Sequence, residues 1–419
     1  MMTGLAESLA ARSHRLRNRE RKFTILVFIC AFVLLNILLC SQCAVAFASN
    51  EAEEEVAEEL ADRVDGVIGD LDSDLFQDFV DSLGREESDA VGMEDLKAAL
   101  KSITEGEPSD FFGSFMSALA SAAGSYFLGF LPGLLSVVII CLLKSMLTGL
   151  SSGFKNASTG EVVHIVCYSA IVAILAAGAV ETVISVTDTV NALAEFSEAV
   201  FPILLTLLAA VGGSSGVALY QPFMAVLSGT VIKLVQTVII PAFIVTMVFS
   251  VVGNVSSEVR LGKLAKLFRS GASWLIGIVF GLFAAFLTAQ GITGGVTDRL
   301  SFNAAKFAVS SYVPILGGYV SDGFDLLAAS LVLVKNAVGL IGVAVLLAVV
   351  LFPLTRLAAY ILALRLTAAV TEPMGDSRTS SVLAALADNS SLLVTALVGV
   401  GFMFFILLML VIGSFNPGV

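Results

Sequence analysis

The 419-residue sequence is poor in charged side chains and in residues that support chemistry. Only 14% of residues are charged, against about 25% in a typical soluble domain, which excludes an ordinary soluble protein. Five cysteines and two histidines are too few for a disulfide scaffold, and no HExxH zinc motif or P-loop occurs. By contrast, 57% of residues are hydrophobic, enough for six or more membrane-spanning helices.

The charge is distributed in three parts. Residues 1–48 carry a net charge of +4, residues 49–110 carry -17 and residues 111–419 carry +1, which together give the total of -12. We predict a signal sequence (1–48), an acidic extracytoplasmic segment (49–110) and a multi-span transmembrane domain (111–419). No basic patch of the kind that binds nucleic acid is present.

The N-terminal part has the features of a signal sequence. Six basic residues between Arg12 and Lys22 precede an apolar stretch from Phe23 to Cys40, and Ala46-Phe47-Ala48 supplies small residues for a signal peptidase. The apolar stretch is long for a signal, so an uncleaved membrane anchor is the alternative.

The acidic segment contains two apolar stripes with helical spacing. Such stripes require a partner, either each other or another protein, unless the segment is a solvated linker. The stripes are Val56, Leu60, Val64, Val67 and Leu71, and then Leu96, Leu100 and Ile103.

We predict an all-α polytopic membrane protein with about six transmembrane helices. Loop 253–273 is rich in lysine and arginine and is expected in the cytoplasm, whereas loop 187–199 is acidic and is expected outside. The predicted spans are 126–148, 162–186, 230–252, 274–292, 326–352 and 391–413.

Two further apolar segments are interrupted by proline and glycine, and we predict that both are re-entrant. The first, 200–228, contains Pro202 and the pair Gly212-Gly213; the second, 308–325, contains Pro314 and the pair Gly317-Gly318. Each half of such a segment is too short to span the bilayer. Its broken backbone is tolerated only where protein or water surrounds it.

A parallel internal repeat with a period of about 110 residues supports this prediction. Val186-Thr187-Asp188 and Val296-Thr297-Asp298 are each followed by Asn-Ala, Phe and Pro-Ile-Leu in the same order. Transporters and channels often place their path between two such halves, which makes the interrupted segments candidate pathway elements.

Lys335 is the candidate pathway residue inside a predicted span. A central lysine costs about 2.5–3.5 kcal/mol on insertion scales, so its amine should face the bundle interior or water, where Asp322 and Asp325 could approach it. Snorkelling to the interface is the alternative.

No catalytic site, metal or cofactor is predicted. Residues Gly212 to Gly216 fit a serine-hydrolase pattern, but His164 is expected at the other side of the membrane, and a flexible turn explains the glycines. The spacing of Gly277 and Gly281 permits close helix approach, within the chain or between copies of it, and so allows a homo-oligomer.

The run Ser311–Asp325 together with Val334–Gly339 resembles stage III sporulation protein AE of endospore-forming Firmicutes. The signal sequence, the charged outer segment, the multi-span body and the length agree with this resemblance.

The resemblance implies a permease-like subunit of the sporulation channel complex, in the mother-cell membrane around the forespore. Implied partners are other stage III sporulation proteins, including a secretion-type ATPase and ring-forming subunits, and stage II sporulation protein Q of the forespore. Contact with membrane lipid is expected as well. The rival functions are a non-conducting structural platform and a free-standing small-solute transporter.

Overall fold

The structure, a computed structural model, is helical throughout the part of the chain that it describes, which confirms the all-α prediction. The predicted signal sequence and Pro314 lie outside that part. Residues Leu60–Val419 belong to one compact unit. The described residues are 60, 63–69, 71, 74–84, 86–88, 96–104, 111–151, 157–255, 261–290, 317–374 and 376–414.

Two short helices of the acidic segment precede a series of long apolar helices. Two π-helical turns, Leu227–Val231 and Val235–Ile239, flank the three residues Ile232–Leu234 and join α5 to α6. The helices are α1 (Asp74–Ser82), α2 (Leu96–Thr104), α3 (Phe111–Ser151), α4 (Ala157–Val211), α5 (Ser214–Val226), α6 (Ile240–Val255), α7 (Gly262–Gln290), α8 (Gly317–Thr371) and α9 (Ser377–Gly413).

Six stretches of helix are long and apolar enough to cross a membrane, as the sequence predicts. They are α3, α4, the continuous rod from α5 to α6, α7, α8 and α9. Short connections join α3 to α4, α6 to α7 and α8 to α9, so each of these pairs forms an antiparallel hairpin. We call the end where these three hairpins turn the hairpin end.

Large hydrophobic side chains are exposed mainly on the parts of the helices nearer the hairpin end. We call this region the lipid-facing band, because solvent-exposed side chains of this size and number are typical of a lipid contact. Examples are Leu128, Leu135 and Ile139 on α3, Val162, Ile165 and Val180 on α4, Ile244 and Val248 on α6, Trp274 and Ile278 on α7, and Leu362 and Leu366 on α8.

Two layers of ion pairs bracket the lipid-facing band. At the hairpin end Lys144 contacts Asp376. At the other boundary Arg356 of α8 pairs with Glu181 of α4 and lies over the ring of Tyr126. Tyr126 and Lys144 are 18 residues apart on α3, which is about 27 Å of helix and close to the ~30 Å hydrocarbon thickness of a bilayer.

The helices continue well past this band. Both α4 and α8 contain 55 residues, about 82 Å of helix, which is more than twice the hydrocarbon thickness. We call the part beyond the Arg356 layer the distal bundle; it comprises α1, α2, residues 186–211 of α4, α5, residues 317–352 of α8 and residues 398–414 of α9. Its interior is mainly apolar, with Phe201, Val345 and Phe404 almost completely buried.

The acidic segment packs against the distal bundle. The ring of Phe79 on α1 meets Phe196 of α4 edge-on, with centroids 5.9 Å apart, and Leu100 on α2 is fully buried. The backbone amide of Leu96 donates a hydrogen bond to the side chain of Gln77, which ties α2 to α1. Among the described residues, therefore, the partner that the apolar stripes require is the chain itself.

The exposed side of the distal part of α4 is polar. Asp188, Asn191, Glu195, Glu198 and Thr206 are exposed there at helical spacing, whereas the exposed side of the same helix inside the band carries valine and isoleucine. A change from aliphatic to acidic along one face indicates that the helix leaves lipid and enters water.

The chain reverses at Gly212-Gly213, between α4 and α5. Gly212 has φ of 105°, and its amide bonds to the Ala209 carbonyl while that of Gly213 bonds to the Leu208 carbonyl, which is the Schellman arrangement. The predicted break at Pro202 is wrong, because α4 continues through Pro202 to Val211. A re-entrant segment at 200–228 would require the chain to turn back into the membrane near residue 200. Because α4 continues to Val211, the structure gives this prediction no support.

Gly212 should tolerate a side chain poorly, and Gly229 supplies the matched control. Gly212→Ala forces an L-residue into the left-handed region and should destabilise the protein by about 1–2 kcal/mol. A methyl group at Gly229, a helical position, would meet nothing within 4 Å, so Gly229→Ala should be neutral or stabilising by up to about 1 kcal/mol. Thermal unfolding of the purified variants in detergent measures both, and a lower midpoint for Gly229→Ala than for Gly212→Ala would contradict the turn geometry.

The second interrupted segment is only partly described. Gly317 and Gly318 are the first residues of α8, which runs without a break through Asp322 and Asp325. The structure therefore contains no turn between Gly317 and the predicted span 326–352. The internal repeat stays a prediction, because its second copy falls largely on residues outside the described part of the chain.

Candidate functional sites

Lys335 lies inside the distal bundle and is fully buried. Its Nζ donates a hydrogen bond of 2.6 Å to the carbonyl oxygen of Ser414, the residue that ends α9. The last carbonyls of a helix lack helical partners and carry partial negative charge, which a lysine ammonium complements. The expectation that Lys335 faces the interior is therefore correct, the snorkelling alternative is wrong, and the geometry favours a structural cap.

Lys335→Met should destabilise the distal bundle, because it removes this buried donor. We expect a loss of about 1–3 kcal/mol of unfolding free energy, measured as thermal unfolding in detergent. Lys233→Met is the control, since Lys233 is an exposed lysine. Equal midpoints for the two variants would show that the capping hydrogen bond contributes nothing.

Asp322 and Asp325 are not folded back onto Lys335. All three residues belong to the continuous helix α8, where Asp325 is ten positions before Lys335 and thus about 15 Å away along the axis. The helix contains no fold-back between these positions, and the approach of the two carboxylates to the lysine stays a prediction.

A surface groove of about 470 Å³ runs between the distal part of α4 and α5. Glu198, Pro202, Thr206, Gln221 and Ser228 are among its lining residues. Pro202 has no amide hydrogen, so the carbonyl of Glu198 does not receive the usual helical bond from residue 202. The groove therefore offers a carboxylate, an amide and hydroxyl groups at the surface of the distal bundle.

At the hairpin end, Asp376 organises a buried polar cluster. Its carboxylate accepts hydrogen bonds from Lys144 Nζ at 2.6 Å and Thr379 Oγ1 at 2.6 Å, and from the Thr379 amide at the start of α9. Burial raises the pKa of Asp376, but the hydrogen bonds from Lys144 and Thr379 outweigh it and hold the pKa below its ordinary value. The cluster is an N-cap that also joins α9 to α3.

A third ion pair lies at the middle of the lipid-facing band, between the two that border it. Arg365 of α8 bonds to Asp388 of α9 at 3.1 Å, with 54% and 50% of the two side chains exposed. Arg365 is nine residues after Arg356, about 13 Å along α8, which is half the thickness of the band. The sequence predictions did not include this pair, because Asp388 precedes the predicted span 391–413 and Arg365 follows the predicted span 326–352.

The exposed side of α9 in the band is polar or small. Ser381, Ala384 and Thr395 are exposed there and Ser391 is partly exposed, while α9 has no exposed large hydrophobic side chain. Arg269 of α7 donates a hydrogen bond to Ser391. Together with the Arg365–Asp388 pair, these residues form a surface that we call the polar seam.

Along the described helices, the backbone places neither of the two bases considered for the serine-hydrolase pattern next to it in sequence or on the same helix as Ser214. Ser214 begins α5 beside the Gly212-Gly213 turn, whereas His164 lies 47 residues before Val211 on the unbroken α4, about 70 Å away. Lys335, the other base considered, caps α9. A nucleophile without a base within hydrogen-bond reach has no activation.

Comparisons with known proteins identify relatives over nearly the whole chain. The family model described as "Stage III sporulation protein AE" matches residues 94–414. "Stage III sporulation protein AE" of Bacillus subtilis (strain 168) is 25% identical over 393 residues, which cover 92% of this chain and 96% of that protein. No solved structure matches the chain.

Proposed function

We propose a function from the premise that the chain belongs to the stage III sporulation protein AE family and so has a role in sporulation. The proposal is that the chain is a membrane-embedded subunit of the sporulation channel complex. In this proposal it acts mainly as a platform on which other subunits assemble. It lies in the mother-cell membrane around the forespore, with loop 253–273 in the cytoplasm and the distal bundle between the two membranes.

The distal bundle is the observation that carries the proposal. Helices of 55 residues extend past the lipid-facing band, and the acidic helix α1 is fixed to α4 by the buried contact between Phe79 and Phe196. A rigid, acidic body outside the membrane suits the binding of other proteins. The space between α8 and α9 is filled by side chains, as the complete burial of Val345, Leu397 and Phe404 indicates.

The partners in this proposal are other stage III sporulation proteins and stage II sporulation protein Q. Ring-forming subunits and the forespore protein would contact the distal bundle, and the secretion-type ATPase would contact the hairpin end. The groove between α4 and α5 is the concave site that such a partner could occupy, because it combines a largely apolar lining with the side chains of Glu198, Thr206 and Gln221.

The platform role is tested by charge reversal on the groove side of the distal bundle. Glu195→Lys with Glu198→Lys should reduce the recovery of other stage III proteins with the tagged chain, and the yield of heat-resistant spores, by at least tenfold. The matched control is Asp78→Lys with Asp81→Lys, which reverses two exposed charges on α1. Equal amounts of chain in the membrane fraction confirm that the variants insert.

Normal partner recovery and spore yield from the Glu195→Lys, Glu198→Lys chain would reject this surface as the docking site. Partner loss in the α1 control instead would move the site to the acidic helices.

The second candidate is the permease-like conduit, which the polar seam favours because transport pathways through membranes are lined by polar side chains. Ser381→Leu with Thr395→Leu distinguishes the two functions. A conduit would lose spore formation in this variant while partner recovery stays normal, whereas a platform would keep both.

A further inference from the structure

Exposing the charged side chains of the polar seam to lipid would cost too much free energy. A charged side chain at the bilayer centre costs about 2.5–3.5 kcal/mol on insertion scales, and such residues face protein or water. The contact between Arg365 and Asp388 does not shield them, because about half of each side chain stays exposed. The surface must therefore face either water or protein beyond the described part of the chain.

We propose that a second copy of this chain covers the polar seam, so that two copies form a dimer inside the membrane. At the seam Arg365 and Asp388 form a pair of opposite charges, which makes this part of the surface self-complementary. The second cation of the seam, Arg269, is bonded to Ser391. In a two-fold symmetric contact the same patch meets itself in the opposite direction, so that Arg365 of each copy lies against Asp388 of its partner. The inference goes beyond the platform function, which does not require a dimer.

The surrounding residues allow such an approach. Phe280 of α7 stacks on Phe402 of α9, so α7 borders α9. On α7, Gly277 and Gly281 are exposed, and a Cβ built on either meets nothing within 4 Å. Small residues let neighbouring helices pack closely in membranes, and within the described part of the chain this glycine pair makes no such contact.

The chain's own apolar segment from Phe23 to Cys40 is the competing cover. It contains no charged residue, so it could not complement Arg365 and Asp388. A second copy supplies both charges, and charge complementarity therefore favours it.

Exchanging charges between two differently tagged chains tests the dimer. Arg365→Asp replaces the pair of opposite charges by two acidic residues, and Asp388→Arg replaces it by two basic ones. Each variant expressed with itself would bring like charges together, so co-purification of the two tags should fall at least tenfold from the wild-type level. Arg365→Asp expressed with Asp388→Arg brings opposite charges together, and we expect most of the co-purification to return.

Recovery in the mixed pair also demonstrates that each variant folds, since a misfolded chain could not be rescued by its counterpart. A wild-type chain that fails to co-purify with itself would overturn the proposal. Loss of co-purification in each single variant without recovery in the mixed pair would overturn the proposal as well. The two charges would then be needed for contacts within one chain and not between copies.

Cross-linking in the membrane supplies a second readout. With the native cysteines replaced, Ala384→Cys on the seam should form cross-linked dimers at least fivefold more than Ile139→Cys, which is exposed on the aliphatic side of α3. Labelling of Ala384→Cys by a water-soluble maleimide without cross-linking would overturn the dimer in favour of a water-filled path. Expression in a host that does not sporulate keeps this result independent of the platform function.

Discussion

Replacing Asp376 with alanine is expected to lower the free energy of unfolding by about 3–5 kcal/mol, because it leaves the buried ammonium of Lys144 without its counter-ion. Only 12% of the Lys144 side chain and 7% of the Asp376 side chain are exposed. The variant also loses the N-cap of α9, which alone contributes about 1 kcal/mol. Chemical or thermal unfolding in detergent measures the effect.

An exposed ion pair provides the control for Asp376→Ala. Lys101 and Asp65 are 2.7 Å apart, but half of each side chain is exposed, so Asp65→Ala should cost less than about 1 kcal/mol. Lys144→Met combined with Asp376→Ala should be less harmful than the sum of the single changes, since neither charge is then left alone. Additive losses would show that the two residues stabilise the hairpin end separately.

The same carboxylate predicts a pH dependence. The pKa of Asp376 is lower in the folded protein than its ordinary value, so the unfolded chain binds this proton more tightly. The stabilisation is complete above about pH 4 and is lost as the pH falls through the lowered folded pKa. Asp376→Asn should remove this contribution to the acid sensitivity, which a comparison of unfolding curves between pH 2 and 6 would detect.

Phe196→Ala is expected to cause a loss of about 3–5 kcal/mol, the usual cost of emptying a buried phenylalanine site. Phe196 is fully buried and contacts both Phe79 of α1 and Phe201 of α4. Its truncation should therefore release the acidic helices from the distal bundle as well as lower the unfolding midpoint. Limited trypsin digestion measures this release, and we expect cleavage at Lys97 or Lys101 of α2.

Leu75→Ala on α1 is the matched control for Phe196→Ala, because the Leu75 side chain is 67% exposed. It should change the stability by less than about 0.5 kcal/mol and leave the trypsin pattern unchanged. Equal protease resistance in Phe196→Ala and the wild type would contradict the docking of α1 through this aromatic contact.

The sequence was sufficient to predict the helical class and the number of long apolar helices. Hydropathy alone identifies such stretches, since each needs about twenty apolar residues. It does not distinguish a helix surrounded by lipid from one buried in protein. The predicted span 326–352 lies in a helix that is long and apolar enough to cross a membrane. Hydropathy could not show that Phe352 contacts Phe115 near the start of α3, beyond the exposed aliphatic residues.

Proline was a poor guide to helix breaks in this chain. Pro132, Pro202 and Pro353 all lie inside continuous helices, because packing from neighbouring helices can offset the lost hydrogen bond of each. Glycine was more informative, since Gly212 occupies a conformation that other residues avoid.

The polar sites depended on partners far away in the sequence. Lys335 is 79 residues from Ser414, and Lys144 is 232 residues from Asp376. The sequence predicted only that the Lys335 amine should be shielded from lipid, because the residue lies in an apolar stretch. The identity of the covering group depends on helix packing, which no local pattern specifies.

The central claim is that the Gly212-Gly213 turn stands outside the membrane at the tip of the distal bundle. Labelling with a membrane-impermeant maleimide tests it, on intact cells of a host that does not sporulate, in a chain whose native cysteines are replaced. Ser214→Cys and Glu195→Cys should both react, while Ile139→Cys in the band should not. If Ser214→Cys is protected from labelling while Glu195→Cys reacts, the claim is contradicted, and the turn lies within the membrane.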